Sequence, residues 1–258
     1  MSKCPGDIIN KIVVIVYGDG GGLGNFKVFA DSLQRELTNK YTKILSKYVN
    51  RDTTFFNAIN SITSDEKIEE LHIFSHSIGA GLFLGYKDPS IAAKREAVWT
   101  AANHARRKVT YSEAVKTEIG AVQTDDLVVG IGTIAAQKAT LQSKFTPSAF
   151  IKIWGCNSGI AGWVYNDNGI VDPADDSEPY YWRAFNERNV PKPSIAKALA
   201  KFFNRKVYGA KSGASIEVKH KGKWISSQQY KNKIGHWPSG NLPHRLVPDK
   251  GTYDVYQP

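Results

Sequence analysis

An α/β domain is the fold this sequence predicts: a three-layer α/β/α sandwich with a mostly parallel central sheet. Three observations carry the expectation. The run at 11–17 is continuously apolar and β-branched after Lys11, the pattern of a parallel strand buried on both faces. Strand-like and helix-like segments alternate along the chain, as right-handed crossovers require. At 258 residues there is room for one large domain, taken here as residues 1–258.

The elements follow in order. After the strand at 11–17 comes the loop Gly18-Asp-Gly-Gly-Gly-Leu-Gly-Asn25. A helix is expected over 26–39, with Phe26, Phe29, Ala30, Leu33 and Leu37 spaced three and four apart. A short strand is expected at 41–45, then a helix capped by Asp52 that carries Phe55, Phe56, Ile59 and Ile62. A third strand, 71–74, ends in Ser75-His76-Ser77-Ile78-Gly79, and 81–86 reads as an extended hairpin arm. Residues 88–123 are polar and basic and read as a helical insert peripheral to the sheet. A helix at 134–145 precedes Pro147, taken as a boundary, and a fourth strand at 150–154 ends in Gly155-Cys156-Asn157-Ser158-Gly159. Ser194 caps a helix carrying Ile195, Leu199, Phe202 and Phe203, followed by a fifth strand at 207–210. From about 211 a C-terminal extension is expected, with short strands at 216–219 and near Trp224 and a Pro/Gly/aromatic tail from Lys231.

Composition limits the function classes. The net charge is +10, with basic residues thickest at 94–108 and 206–233, which suits an acidic partner. No zinc-finger spacing, RNA-binding signature or heptad accompanies that charge, so a solvated basic face is the simpler account. The longest apolar run, 12–17, is far short of the ~20 residues that span a bilayer. No signal-like segment precedes it, so a transmembrane segment is not expected and synthesis is expected in the cytoplasm. Two cysteines, Cys4 and Cys156, build neither a disulfide scaffold nor a four-ligand zinc site, and no metal or other cofactor is expected.

Two strand ends carry reactive side chains among small residues: His76 after 71–75, and Cys156 after 151–155. In open parallel sheets, sites gather at the carboxyl ends of strands. If these two strands are neighbours, thiol and imidazole converge above the sheet edge. A nearby imidazole favours the thiolate and later protonates a leaving group. Gly155 and Gly159 would let a substrate carbonyl approach the backbone, and the Cys156 amide could donate to an oxyanion. The residues alone thus point to a cysteine hydrolase with Cys156 as nucleophile and His76 as base.

The segments Leu71-His-Ile-Phe-Ser-His76-Ser-Ile-Gly79, with Gly81-Leu-Phe-Leu-Gly85, and Phe150-Ile-Lys-Ile-Trp-Gly-Cys156-Asn-Ser-Gly159 resemble the caspase/clostripain-like cysteine peptidases of clan CD. The likeness is strongest to their divergent bacterial branch found in toxins and large secreted proteins. It spans about residues 11–210, although only the two short motifs are diagnostic. It implies a caspase-like fold, a His76–Cys156 dyad and a peptide or protein substrate. It also implies a bacterial effector or toxin acting inside another cell, secreted without a signal peptide, for which a cognate inhibitor or immunity protein is the matching partner. The family's glycine after the histidine is Ser77 here; its amide can still serve an oxyanion hole. The two dyad positions lie wider apart than usual, which the polar insert explains.

Two other readings use the same residues. Ser75-His-Ser77-Ile-Gly79 resembles the lipase elbow G-x-S-x-G, and 13–22 with Asn25-Phe26 resembles the oxyanion-loop entry of an α/β-hydrolase. A serine esterase would take Ser77 as nucleophile, an acid from 167–176, and His220, His236 or His244 as base. Against it, an elbow leads straight into a helix, whereas 79–85 is glycine-rich and extended. The third reading is a non-catalytic binding module that uses the basic face. The glycine loop at 18–24 lacks the G-x-G-x-x-G and Gly-Lys-Ser/Thr spacings of nucleotide sites and reads as a strand-to-helix turn bordering the site. The acidic stretch 167–178 lacks the alternation and closing glutamate of an EF-hand and reads as a solvated loop.

Overall fold

The computed structural model describes residues 10–20, 26–79, 81–85, 88–107, 120–128, 133–161, 164–166, 169–171 and 193–258. In chain order the elements are β1 (Asn10–Tyr17), α1 (Lys27–Leu37), β2 (Ile44–Tyr48), α2 (Asp52–Asn60), β3 (Glu66–Phe74), β4 (His76–Ile78) and β5 (Gly81–Phe83). They continue as α3 (Pro89–His104), β6 (Ala121–Gln123), α4 (Thr124–Val128), α5 (Thr133–Ser143), β7 (Phe145–Ile153), β8 (Val164–Asn166), β9 (Gly169–Val171) and α6 (Ile195–Phe203). The last are β10 (Lys206–Gly209), β11 (Ala214–His220), β12 (Lys223–Ser226), α7 (Ser227–Ile234), β13 (His244–Pro248) and β14 (Asp254–Tyr256).

The central sheet has six strands in the order β14-β10-β7-β3-β1-β2. All neighbours pair in parallel except β14, which runs antiparallel to β10. The α/β class and the mostly parallel sheet therefore match the reading of the sequence. Period-two alternation divides each strand between two cores. Ile12, Val14, Val16, Leu71, Ile73, Ile151 and Ile153 face one way, into a core with α2, α5 and α6. Val13, Ile15 and Phe74 face the other way, against Phe26, Phe29 and Ala30 at α1 and Leu246 of β13. Because both faces are covered, the β1 run is apolar throughout.

The second face corrects the expected sandwich. Its cover is α1 together with a three-stranded antiparallel sheet, β12-β11-β13, to which Leu246 and Ile216 belong. The segment after 210 also returns to the central sheet, where β14 pairs with β10 along Val207–Gly209. The expected helical insert does not run to 123: β6 pairs with β5, and its Val122 packs into the main core with Leu82. Residues 108–119 lie outside the described residues.

Boundaries moved for local reasons. The second strand is 44–48 rather than 41–45. Arg51, not Asp52, caps α2; its extended backbone amide is taken by the Thr54 hydroxyl at 3.0 Å, and Asp52 stands in the first turn. Pro147 lies inside β7, in the stretch between the Ile68↔Phe145 and Glu70↔Phe150 pairs where the register shifts; a missing amide is tolerated at such a bulge. Ser194 does cap α6, accepting from the Lys197 amide at 3.2 Å. Among the described residues no helix is long and apolar enough to cross a membrane.

Candidate active site

β3 and β7 are adjacent, parallel and in register through Ile73↔Ile153, so the chain leaves both at the same edge of the sheet. His76 and Cys156 stand just beyond those ends. Together with Ser75, Trp154, Gly155, Phe26 and others they line one small cavity of about 40 Å³. The convergence expected from two strand ends is what the sheet order produces.

The loop that carries Cys156 is held from several elements. The Ser77 hydroxyl donates to the Cys156 carbonyl at 2.6 Å. The Asn157 amide donates to the Ser212 carbonyl at 2.9 Å, and the Gly159 amide to the Ala210 carbonyl at 2.7 Å. The buried Ser158 hydroxyl accepts from the Ala210 amide at 3.1 Å. Tyr256 of β14 donates to the Gly159 carbonyl at 2.6 Å. Asn157 sits at φ 52°, a left-handed conformation that asparagine tolerates better than most residues, and this turns the chain sharply after the cysteine.

The glycines have a different role from the one the sequence suggested. A Cβ at Gly155 would fall 2.5 Å from the Ser75 carbonyl oxygen and would overlap the Ser77 hydroxyl. A Cβ at Gly159 would overlap the Tyr256 hydroxyl. Both glycines let the loop pack against its supports; approach of a substrate is not what demands them.

His76 is half-buried, with its ring edge-to-face on Phe26 at 5.1 Å. Its Nε2 lies 3.2 Å from the Gly20 carbonyl oxygen. A carbonyl only accepts, so this contact places the proton on Nε2 and leaves Nδ1 as the basic nitrogen of the neutral ring. Gly20 belongs to the glycine loop, which therefore borders the site as read; 21–25 lie outside the described residues. Burial pushes the His76 pKa below its usual 6.5, against the Gly20 carbonyl's pull upward.

Cys156 is a free, partly buried thiol. Burial is the main cause that raises its pKa above the usual 9.0; Asp249 adds to this and the Ala214 amide opposes it. Burial thus favours the neutral thiol over the thiolate. Cys4 lies outside the described residues.

Ser77 is buried and its proton is committed to the Cys156 carbonyl. The segment 76–78 is a strand that turns back into β5, not the start of a helix. Ser77, His220, His236 and His244 are not among the described residues lining the small cavity. His244 instead turns its Nδ1 to the Leu242 carbonyl at 2.7 Å. Asp167, Asp172, Asp175, Asp176 and Glu178 lie outside the described residues, and so do any roles for them. Among the described residues no group of three or more His, Cys, Asp or Glu could hold a metal ion.

Comparison with family models, with curated proteins and with solved structures found no match to this chain.

The sequence reading passed over Lys152 and His72. They are opposite one another near the carboxyl ends of the two central strands, on the α1 side of the sheet. A lysine inside an otherwise apolar parallel strand was the available signal: strands buried on both faces rarely carry one.

Proposed function

We propose that this chain is a cysteine hydrolase of the caspase/clostripain-like kind, cleaving a peptide bond with Cys156 as nucleophile and His76 as base. The observation that carries the reading is the adjacency of β3 and β7, which puts imidazole and thiol on the wall of one cavity. In this reading both groups rest neutral. As the sulfur attacks the scissile carbonyl, Nδ1 of His76 takes the thiol proton, and it then gives that proton to the departing amine. The resulting thioester is hydrolysed by a water whose proton returns through His76, and the thiol is restored. The oxyanion of each tetrahedral intermediate falls to the amide of Cys156 itself, since the Asn157 and Gly159 amides already donate to the Ser212 and Ala210 carbonyls, with the strand at Ser77 on the opposite side. The natural setting that goes with this reading is a bacterial effector or toxin, with a protein substrate and a cognate inhibitor or immunity protein.

The test is a substitution series with chemical labelling. Cys156→Ala and His76→Ala should each remove hydrolysis of a peptide amide by several orders of magnitude, because nucleophile and base act as a unit. Iodoacetamide should inactivate by alkylating Cys156; a serine-directed fluorophosphonate should not. Hydrolysis that persists in Cys156→Ala overturns the proposal, and a Cys156→Ala protein with an unchanged biological effect favours the binding module.

A further inference from the structure

A cavity of about 580 Å³ lies on the α1 side of the central sheet, next to Cys156 but distinct from its small cavity. Its floor is a row across the sheet near the carboxyl ends of β3, β7 and β10, with His72 opposite Lys152 and Lys152 opposite Tyr208. Its walls are aromatic, chiefly Trp154 and Tyr253. The size is that of a site for a small molecule or a side chain, about 300–1,000 Å³.

Lys152 lacks the carboxylate partner that several other charged residues of this protein have. Glu70 is paired with Lys40, Glu66 with Lys43, Glu217 with Arg245 and Asp88 with Arg51. Among the described residues no carboxylate lies within ion-pair distance of Lys152. Its ammonium rests 3.8 Å from the Trp154 ring centre and 4.3 Å from that of Tyr253. Burial brings its pKa down from 10.5 to about 8; Glu36 and Glu70 offset part of this and Arg245 adds to it. An anion arriving beside the amine would relieve that desolvation.

The wall is set before any ligand enters. The Trp154 indole N–H donates to His72 Nδ1 at 3.2 Å, and His72 Nε2–H donates to Glu70 at 2.9 Å. Lys40 and Tyr41 each donate to the other Glu70 oxygen at 2.6 Å. Phe74 stacks on the indole at 5.3 Å and 8°. Burial would raise Glu70, but the hydrogen bonds from His72, Lys40 and Tyr41 win and bring it down to about 2. The indole is thus fixed by a charged anchor outside the cavity.

We propose that this cavity binds one carboxylate carried on an apolar stem, with the anion on Lys152 and the stem against Trp154 and Tyr253. A single cation is on offer, since Arg245 is engaged by Glu217 at 2.7 Å. Glu36 on the lining disfavours a doubly charged phosphate. Two sources share this chemistry, a free small carboxylate and an acidic side chain of a peptide. Trp154, Phe29 and Leu246 line both this cavity and the one at Cys156. β7 ends at Ile153, one residue past Lys152 and three short of Cys156, so both cavities lie at the same end of the sheet. Only the peptide source rests on the hydrolase reading; the carboxylate site does not.

The test is calorimetric titration of the whole chain at pH 7 with 3-phenylpropionate and with its neutral amide. The acid should bind at least about tenfold more tightly than the amide, as a charge-assisted pair in an apolar cavity gives. Lys152→Met should erase that preference and Lys152→Arg should keep part of it. Equal binding of acid and amide, or no binding of the acid at millimolar concentration, overturns the proposal without recourse to any variant. Capped glutamyl and glutaminyl peptides titrated into the Cys156→Ala protein identify the source: preference for glutamate assigns the site to a substrate side chain, and indifference alongside a bound free acid assigns it to a small molecule. An inert Cys156 with an intact acid preference would sink the hydrolase reading alone.

Discussion

Replacing Ser77 with alanine tests how the Cys156 loop is built. Its hydroxyl is buried and donates to the carbonyl of Cys156 at 2.6 Å. The substitution removes the donor and leaves that carbonyl one partner short, which costs about 1–2 kcal/mol. In a chain of this size each kcal/mol moves the melting midpoint by about 2–4 °C, so a drop of about 2–8 °C is expected. Catalysis should suffer little. The Cys156 amide remains, and a small shift of the loop reduces hydrolysis by roughly tenfold at most, about 1.4 kcal/mol of barrier. If Ser77 were instead the nucleophile, alanine would remove activity by a factor on the order of 10⁶ while sparing stability. Scanning calorimetry beside peptide-amide hydrolysis separates the two. Abolished hydrolysis with an unchanged midpoint would refute the reasoning, and so would full stability with full activity, since the hydrogen bond would then hold nothing.

Three further outcomes are expected. Gly155→Ala forces a methyl onto the Ser75 carbonyl, a backbone atom that cannot swing away; it should cost about 3 kcal/mol, and Ser77→Gly should not restore the loss in chemical denaturation. Alkylation of Cys156 by iodoacetamide should keep accelerating with pH beyond 9, because burial raises the thiol and its reactive form appears only as pH climbs through that raised pKa; a rate already flat between pH 6 and 8 would show a thiolate the structure does not support. Deleting 88–123 behind a short linker should yield insoluble protein, because β6 and the buried Val122 leave with it; a soluble, cooperatively melting product would show that β6 is dispensable.

Much of the central sheet was legible because its strands are buried on both sides and written as apolar runs. β1, β3 and β7 announced themselves in this way, and so did α6 with its Ser194 cap. The same runs put His76 and Cys156 at strand ends; that the two strands are neighbours came from the sheet order. What escaped notice depends on partners distant in sequence. β14 is three residues long and owes its existence to the exposed edge of β10, so no local periodicity marks it. β6 hides at the end of a polar stretch and is a strand because β5 stands beside it. The Arg51 cap was missed because arginine has no acceptor to offer the first turn; the bond that marks this end runs the other way, with Thr54, three residues on, accepting from the Arg51 amide. Lys152 sat in plain view inside β7, but its meaning depends on a cavity built by α1 and β13, more than a hundred residues away on one side and about ninety on the other.

The Tyr256 clamp imposes an order on biosynthesis. The tyrosine that fastens Gly159 is translated 97 residues after it. At about 5–20 residues per second, the nascent chain waits roughly 5–20 s with the Cys156 loop made but without this hydrogen bond. In the later part of that interval, once β10 has been made, its open side shows the ribosome-bound chain an unpaired row of amides and carbonyls, the kind of edge on which stray strands pair. One short strand therefore closes both gaps at once: it seals the sheet and locks the loop.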